Sequence, residues 1–274
     1  MSTVWIDGTL LDEAQARVSP FDHGLLTGDG VFETMRITRA TPFAARRHLE
    51  RLARSAAGLR LPCPPTEVVL GAMREVIEAN DLEEGRLRVT VTGGPSPLGS
   101  HRAGVEPTVI VAGGPLPNWP PAADVALAPW PRNERGALAG LKTISYGENV
   151  LALAHARDRG AGEALFANIA GNLCEGTGTN VFVVVGGRLV TPPLSSGCLA
   201  GVTRELVLEL VDVAEEDFGV AGLDGVQEAF LTSSTRDVQA VRAIDGRRPP
   251  ACPGPFTSAA AAAFRDLVGR DLDP

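Results

Sequence analysis

The sequence predicts a two-domain α/β fold, and three observations carry that expectation. Segments with period-two alternation and segments with helical i, i+3, i+4 spacing occur in both halves of the chain. A stretch that neither helix nor strand can absorb, Gly113-Gly-Pro-Leu-Pro-Asn-Trp-Pro-Pro121, separates the halves, because its prolines fix φ and remove backbone donors. The 274 residues, 44% hydrophobic and 21% charged, suffice for one large core or two modest ones, which excludes disorder for most of the chain. The expected boundaries are residues 1–112 for a smaller N-terminal α/β domain, 113–121 for the linker and 122–274 for a larger C-terminal α/β domain.

In chain order, Val4-Trp5-Ile6 and Thr9-Leu10-Leu11 flank Asp7-Gly8, a two-residue turn that accepts positive φ, so the chain opens with a hairpin. Gly30 to Ile37 reads as a strand. Between Arg46 and Leu59, residues Leu49, Leu52, Ala56 and Leu59 share one face of a helix whose other faces carry arginines. Val69 to Ala79 is a second helix, Arg86 to Thr92 alternates as a half-buried strand, and Thr108 to Ala112 is a strand leading into the linker. The second half starts with a strand at Asp124 to Pro129, followed by a helix from about Glu148 that stops at Gly160. Hairpins turn at Gly171-Asn172 and Gly186-Gly187, and the apolar run Val181-Phe-Val-Val-Val185 has the length of a buried strand. Helix Arg204 to Val213, strand Glu228 to Thr232 and an Ala-rich helix from Thr257 to Val268 complete the reading.

Composition excludes several function classes. A net charge of -8 opposes an extended nucleic-acid footprint, since phosphate backbones attract basic surfaces. No run of about 18 apolar residues is present, and Met1-Ser-Thr-Val-Trp-Ile-Asp7 lacks a signal-peptide pattern, so no membrane association and a cytoplasmic location are expected. Cys63, Cys174, Cys198 and Cys252 are far apart without a C-x-x-C, and the histidines show no H-E-x-x-H, so no metal site is expected.

The basic residues are unusual: 24 arginines stand beside a single lysine, Lys142, and the single tyrosine, Tyr146, follows four residues later. Arginine serves on almost any solvated surface but stays protonated, whereas a lysine amine in a desolvated site can attack a carbonyl. An arginine-biased composition accounts for one leftover lysine equally well. An imine-forming cofactor needs more: a carboxylate for a ring nitrogen, an anion site and an apolar wall. Cys174-Glu175-Gly-Thr-Gly-Thr-Asn180 places an acid in a Gly-rich loop between strands. Ser195-Ser-Gly-Cys-Leu-Ala-Gly-Val-Thr-Arg204 runs from small residues into a helix start, where free N–H groups suit a phosphate. Thr232-Ser-Ser-Thr235 adds hydroxyls after a strand. Taken singly these are a solvated loop acid, a helix capped by Thr203 and ordinary loop hydroxyls.

Taken in order, Lys142-x3-Tyr146, Glu175-Gly-Thr-Gly-Thr-Asn180, Leu199-Ala-Gly-Val-Thr-Arg204 and Thr232-Ser-Ser-Thr235 resemble the class IV aminotransferases, the fold-type IV pyridoxal-phosphate enzymes of D-amino acid aminotransferase-like fold. Asp22-His-Gly-Leu-Leu-Thr-Gly-Asp-Gly-Val-Phe-Glu-Thr-Met-Arg36 and His48-Leu-Glu-Arg51-Leu52 extend the resemblance, which runs from Trp5 to about Ala243. It implies pyridoxal 5'-phosphate as cofactor, a small-molecule substrate, a homodimer and a site in the cleft between the domains. Carried over by motif, Lys142 is the Schiff-base lysine and proton shuttle, Glu175 faces the pyridinium nitrogen, and Leu199 packs on the ring. Arg51, the backbone N–H groups of Val202 and Thr203, and the Ser234 hydroxyl meet the phosphate. Phe32, Thr34, Tyr146, Thr235 and Arg102 are the candidate substrate contacts; His23 reads as structural, and Cys174 and Cys198 as packing residues.

Two positions depart from the pattern. Branched-chain aminotransferases carry a tyrosine five residues after the lysine, whereas Tyr146 lies at four. Thr34 follows the glutamate where branched-chain members commonly have glycine, which looks more like the lyase and D-amino acid groups; aminodeoxychorismate lyase, forming para-aminobenzoate and pyruvate, is the favoured reading. An aminotransferase of branched-chain or D-amino acids is the alternative, and a non-catalytic pyridoxal-phosphate-binding scaffold is the second.

Overall fold

The computed structural model describes residues 2–274, which divide into two units. Unit 1 holds the described residues through Pro117, together with Leu141–Tyr146 and Asp271–Pro274. Its elements are β1 (Thr3–Ile6), β2 (Thr9–Asp12), the short helix α1 (His23–Thr27), β3 (Gly30–Thr38), β4 (Thr41–Pro42), α2 (Ala45–Gly58), α3 (Thr66–Ala79), β5 (Glu84–Thr92) and β6 (Thr108–Gly114). The strands form one antiparallel sheet in the order β2-β1-β6-β5-β3-β4.

Period-two alternation sorts the faces of this sheet. Val31, Met35 and Ile37 of β3 and Leu87, Val89 and Val91 of β5 join Leu49, Leu52 and Ala56 of α2 and Val69, Met73 and Val76 of α3 in one apolar core. The opposite face presents Phe32 and Thr34 of β3 directly across from Thr90 and Arg88 of β5.

Unit 2 holds residues Asn118–Gly140 and Gly147–Arg270. It contains β7 (Ala122–Leu127), α4 (Gly147–Asp158), β8 (Glu163–Ala167), β9 (Leu173–Gly176), β10 (Asn180–Val185), β11 (Arg188–Thr191), α5 (Val202–Leu210), β12 (Ala214–Glu215), β13 (Glu228–Ser233), β14 (Asp237–Ile244) and α6 (Pro255–Arg270). Its eight-stranded mixed sheet runs β12-β11-β10-β13-β14-β7-β8-β9. As expected of a buried strand, β10 is apolar on both sides, and Val181, Phe182 and Val183 are fully buried.

Three features differ from the sequence reading. The lysine segment Leu141–Tyr146, expected within the C-terminal domain, packs in unit 1, because its backbone pairs with β3. Helix α5 starts at Val202 and ends at Leu210, earlier than the expected Arg204 to Val213, since Gly201 in extended conformation already opens it. Strand β14 was not foreseen: its pairing with β7 shifts register between Val241 and Ala243, which breaks the alternation that would have marked it.

Candidate active site

Lys142 is held in unit 1 by a strap that behaves as an extra strand on β3. The Phe32 N–H donates to the Lys142 carbonyl at 3.1 Å, and the Ile144 N–H donates to the Gly30 carbonyl at 2.9 Å. Glycine is required at position 30, because a Cβ there would lie 2.6 Å from the Val91 carbonyl oxygen and 2.8 Å from Ile144. The Lys142 N–H donates to Ser55 Oγ of α2 at 3.1 Å. Its backbone is thus tied to a strand and a helix, which fixes the root of the side chain.

That amine lies among aromatic rings. Lys142 Nζ is 4.2 Å from the centroid of Phe32 and 3.5 Å from Tyr146 Oη, and the two rings meet edge to face at 5.1 Å. Arg88, across from Thr34, also lays its guanidinium over the Phe32 ring, 3.7 Å from the centroid, and donates from Nε to Thr90 Oγ1 at 3.1 Å. Burial lowers the Arg88 pKa from its ordinary value, and Tyr146 opposes that shift. Arg88 was missed by sequence reasoning. Its signal was present, since it shares the face of Phe32 and Thr34 through antiparallel register, but register is not readable from one strand alone.

Arg51 is buried on α2, and its first partner is Glu33 of β3. Nε and Nη2 donate to the two carboxylate oxygens at 2.7 Å each, and His48 Nδ1 lies 2.7 Å from Oε2. Burial pushes the Glu33 carboxyl up, yet the charge and hydrogen bonds of Arg51, with those of His48, outweigh it and hold the pKa at about 2. Burial also lowers the His48 pKa, with Glu33 opposing, so the imidazole is neutral at pH 7 and Nδ1–H donates to the carboxylate. Glu33 was not foreseen as a partner of Arg51.

Arg102, the candidate contact for a substrate carboxylate, is bonded to Asp29 and to the end of α2. Nε donates to Asp29 Oδ2 at 2.6 Å, Nη2 to Asp29 Oδ1 and to the Leu59 carbonyl at 3.0 Å, and Nη1 to the Arg60 carbonyl at 2.6 Å. These bonds occupy most of the fork and satisfy carbonyls at the end of α2, so the residue ties the loop before β6 to that helix. His23 is buried beside Asp29, consistent with a structural residue.

In unit 2 a second cluster forms at the ends of β9, β10 and β13. Glu175 of β9 accepts the Leu199 N–H through Oε2 at 2.9 Å, while Oε1 lies 3.3 Å from Nε of Arg132. Arg132 stacks over Phe166 at 4.1 Å and reaches Glu148 and Asn149. Asn180 Nδ2 donates to the Leu199 carbonyl at 2.9 Å, so both polar groups of one peptide-linked residue are fixed by side chains. A Cβ at Gly201 would fall 2.0 Å from Asn180 Oδ1. Val202 and Thr203 then begin α5, a nine-residue helix with no side-chain cap at its start. Thr232 faces Asn180 across the β10–β13 ladder, its buried hydroxyl has no hydrogen-bond partner, and Ser234 and Thr235 follow in the turn into β14. Arg132 and Asn180 were also missed as members of this cluster; Asn180 was quoted within its motif without a role. Cys174 and Cys198 are buried, and burial raises both thiol pKa values, as packing residues require.

These residues fit pyridoxal 5'-phosphate. In unit 1 one amine sits on an aromatic wall; in unit 2 one carboxylate accepts a main-chain N–H and pairs with Arg132, and an uncapped helix start and an unpartnered buried Thr232 hydroxyl supply donors of the kind a phosphate accepts. Lys142, Phe32 and Tyr146 come together in unit 1, and Glu175, Leu199, Val202 and Thr203 in unit 2. Among the described residues no group of three metal-binding side chains occurs, and no helix is long and apolar enough to cross a membrane.

The family model for amino-transferase class IV matches residues 30–244. A putative branched-chain-amino-acid aminotransferase of Methanocaldococcus jannaschii is 34% identical over 256 residues, 89% of this chain and 88% of that one. The aminodeoxychorismate lyase of Bacillus subtilis is 29% identical over 246 residues, covering 86% and 84%. The crystal structure of the branched-chain aminotransferase of Thermoproteus uzoniensis with norvaline superposes with a TM-score of 0.91 at 30% identity, covering 97% of this chain and 94% of that one. The chain belongs to the class IV aminotransferases, has their fold-type IV architecture and takes pyridoxal 5'-phosphate as its cofactor.

Proposed function

We propose that this class IV aminotransferase moves the amino group of an apolar, branched-chain amino acid to a 2-keto acid. The observation that carries the reading is the amine of the only lysine lying against Phe32, beside Tyr146 and within the same wall as the Arg88 guanidinium. The similarity to branched-chain aminotransferases supports transamination over the lyase that Thr34 suggested.

When bound, the cofactor supplies an electron sink for the substrate's Cα. Lys142 Nζ would hold the cofactor, and its free amine would take the proton from Cα and return it. Arg88 pairs with the substrate carboxylate; a guanidinium stacked over the Phe32 ring and exposed on its strand is suited to a charge-assisted contact. Phe32 and Tyr146 exclude water and face an apolar side chain, with Thr34 bordering them. Glu175, held by the Leu199 N–H and Arg132, keeps a proton on the ring nitrogen. The N–H groups of Val202 and Thr203, Ser234 and Arg51 take the phosphate, Leu199 flanks the ring, and Thr235 borders the substrate. The homodimer is part of the same proposal, supported by the exposed apolar pair Val150 and Leu151 on α4.

The test is acceptor dependence. Purified protein loaded with cofactor is incubated with leucine, isoleucine, valine or D-alanine, with and without 2-oxoglutarate, and separately with aminodeoxychorismate. Keto acid formed from a branched-chain donor only when acceptor is present is expected. Pyruvate and para-aminobenzoate formed from aminodeoxychorismate without any acceptor would reverse the assignment in favour of the lyase.

A further inference from the structure

Glu33 stands where the β3 alternation calls for an apolar residue: Val31, Met35 and Ile37 on the same face are fully buried, and so is Glu33. An unpaired carboxylate in such a core is strongly disfavoured by desolvation, so its retention has to be matched by partners. Those partners come from α2, where His48, Arg51 and Ser55 recur at spacings of three and four to form a buried polar stripe beside the apolar one. Glu33 holds His48 and Arg51, and Ser55 holds the Lys142 N–H. No step of the amino-transfer chemistry uses Glu33.

We propose that Glu33 is a positioning residue for the cofactor phosphate, acting through Arg51. This rests on the reading that Arg51 contacts that phosphate. The guanidinium is planar, and Glu33 grips the edge formed by Nε and Nη2 in a bidentate pair, which fixes the direction of the opposite edge. His48 donates to the same carboxylate and limits its rotation. Because the Glu33–Arg51 pair is neutral overall, the carboxylate lowers the bare attraction of Arg51 for a dianion. What it contributes is orientation, with a buried side chain already fixed before the ligand arrives.

A role in the phosphate contact and a role in general folding separate on two ligands, pyridoxal phosphate and pyridoxal, which differ only in the phosphate. Dissociation constants for both are measured by visible absorption titration on the full chain and on Glu33→Gln, Glu33→Asp, Arg51→Gln and the double variant Glu33→Gln/Arg51→Gln. Glu33→Gln and Arg51→Gln are each expected to weaken pyridoxal phosphate on the order of tenfold or more while pyridoxal changes by less than about twofold, and the double variant is expected to lose no more than Arg51→Gln alone. Glu33→Asp, which keeps the charge and moves it, is expected to fall between wild type and Glu33→Gln for pyridoxal phosphate only. The double variant leaves no uncompensated buried charge, so it guards against a single variant that fails to fold. Wild-type affinity in Glu33→Gln, equal losses for both ligands, or losses that multiply in the double variant overturn the positioning role. If Arg51→Gln binds pyridoxal phosphate like wild type, the assignment of Arg51 fails and the inference with it; if the wild-type chain binds neither ligand, the proposed function itself fails.

Discussion

In unit 1 the buried charges of the site meet each other: Glu33 accepts from Arg51 through both carboxylate oxygens, with His48 Nδ1 beside them. In unit 2 the site carboxylate meets main chain as well as charge: Glu175 accepts the Leu199 N–H beside its ion pair with Arg132, Asn180 donates to the Leu199 carbonyl, and Gly201 leaves room for the Asn180 amide. The first arrangement depends on charge and on exact side-chain length; the second depends on backbone path and on the absence of a Cβ. The two regions are therefore expected to fail under different perturbations.

The largest difference lies in acid. The Glu33 carboxyl is held at about 2 against an ordinary 4.5, and it is fully buried, where solvent screens its pair with Arg51 little. The shift corresponds to about 3 kcal/mol of stability, complete above the ordinary value and lost as pH falls from there through the folded value. Denaturant unfolding between pH 6 and about 2 is expected to show that loss in wild type and to lack it in Glu33→Gln/Arg51→Gln. An equal acid limb in both would place the loss elsewhere.

Next comes volume. Gly201→Ala puts a methyl 2.0 Å from Asn180 Oδ1 and is expected to cost about 1–3 kcal/mol with a matching loss of cofactor affinity. The cost should be the same at pH 4 and pH 7, since no titrating group is involved. A pH-dependent cost would blur the contrast between the regions.

The smallest effect is expected from Arg102→Ala. Its pair with Asp29 is partly exposed, so thermal unfolding should register about 1 kcal/mol or less, while KM for the amino donor stays at its wild-type value. A large rise in KM would restore Arg102 as a substrate contact.

The contrast also explains what the sequence made legible. Unit 2's cluster sits on contiguous motifs, Cys174 to Asn180 and Leu199 to Arg204, because loops that satisfy side chains with main chain carry their glycines and short polar residues in unbroken runs. Unit 1's site is assembled from distant single residues. Glu33 and Arg88 each occupy one position in an alternating strand, and neither announces its partner until α2 packs on β3 and β5 pairs in register. The most visible signal, one lysine among 24 arginines, singled out an amine at even odds and left its surroundings open. Even the unit to which Lys142 belongs was misplaced, since the strap 141–146 returns to β3 by backbone pairing that no local pattern marks.

The same scarcity of lysine makes the central claim directly measurable. The cofactor-loaded protein is reduced with borohydride, digested and mapped by mass spectrometry. One pyridoxyl group on Lys142, absent in Lys142→Arg together with the visible absorption band and the amino-transfer activity, is the expected result. A pyridoxyl group on the N-terminal amine alone, or a visible band and activity that persist in Lys142→Arg, would contradict the account.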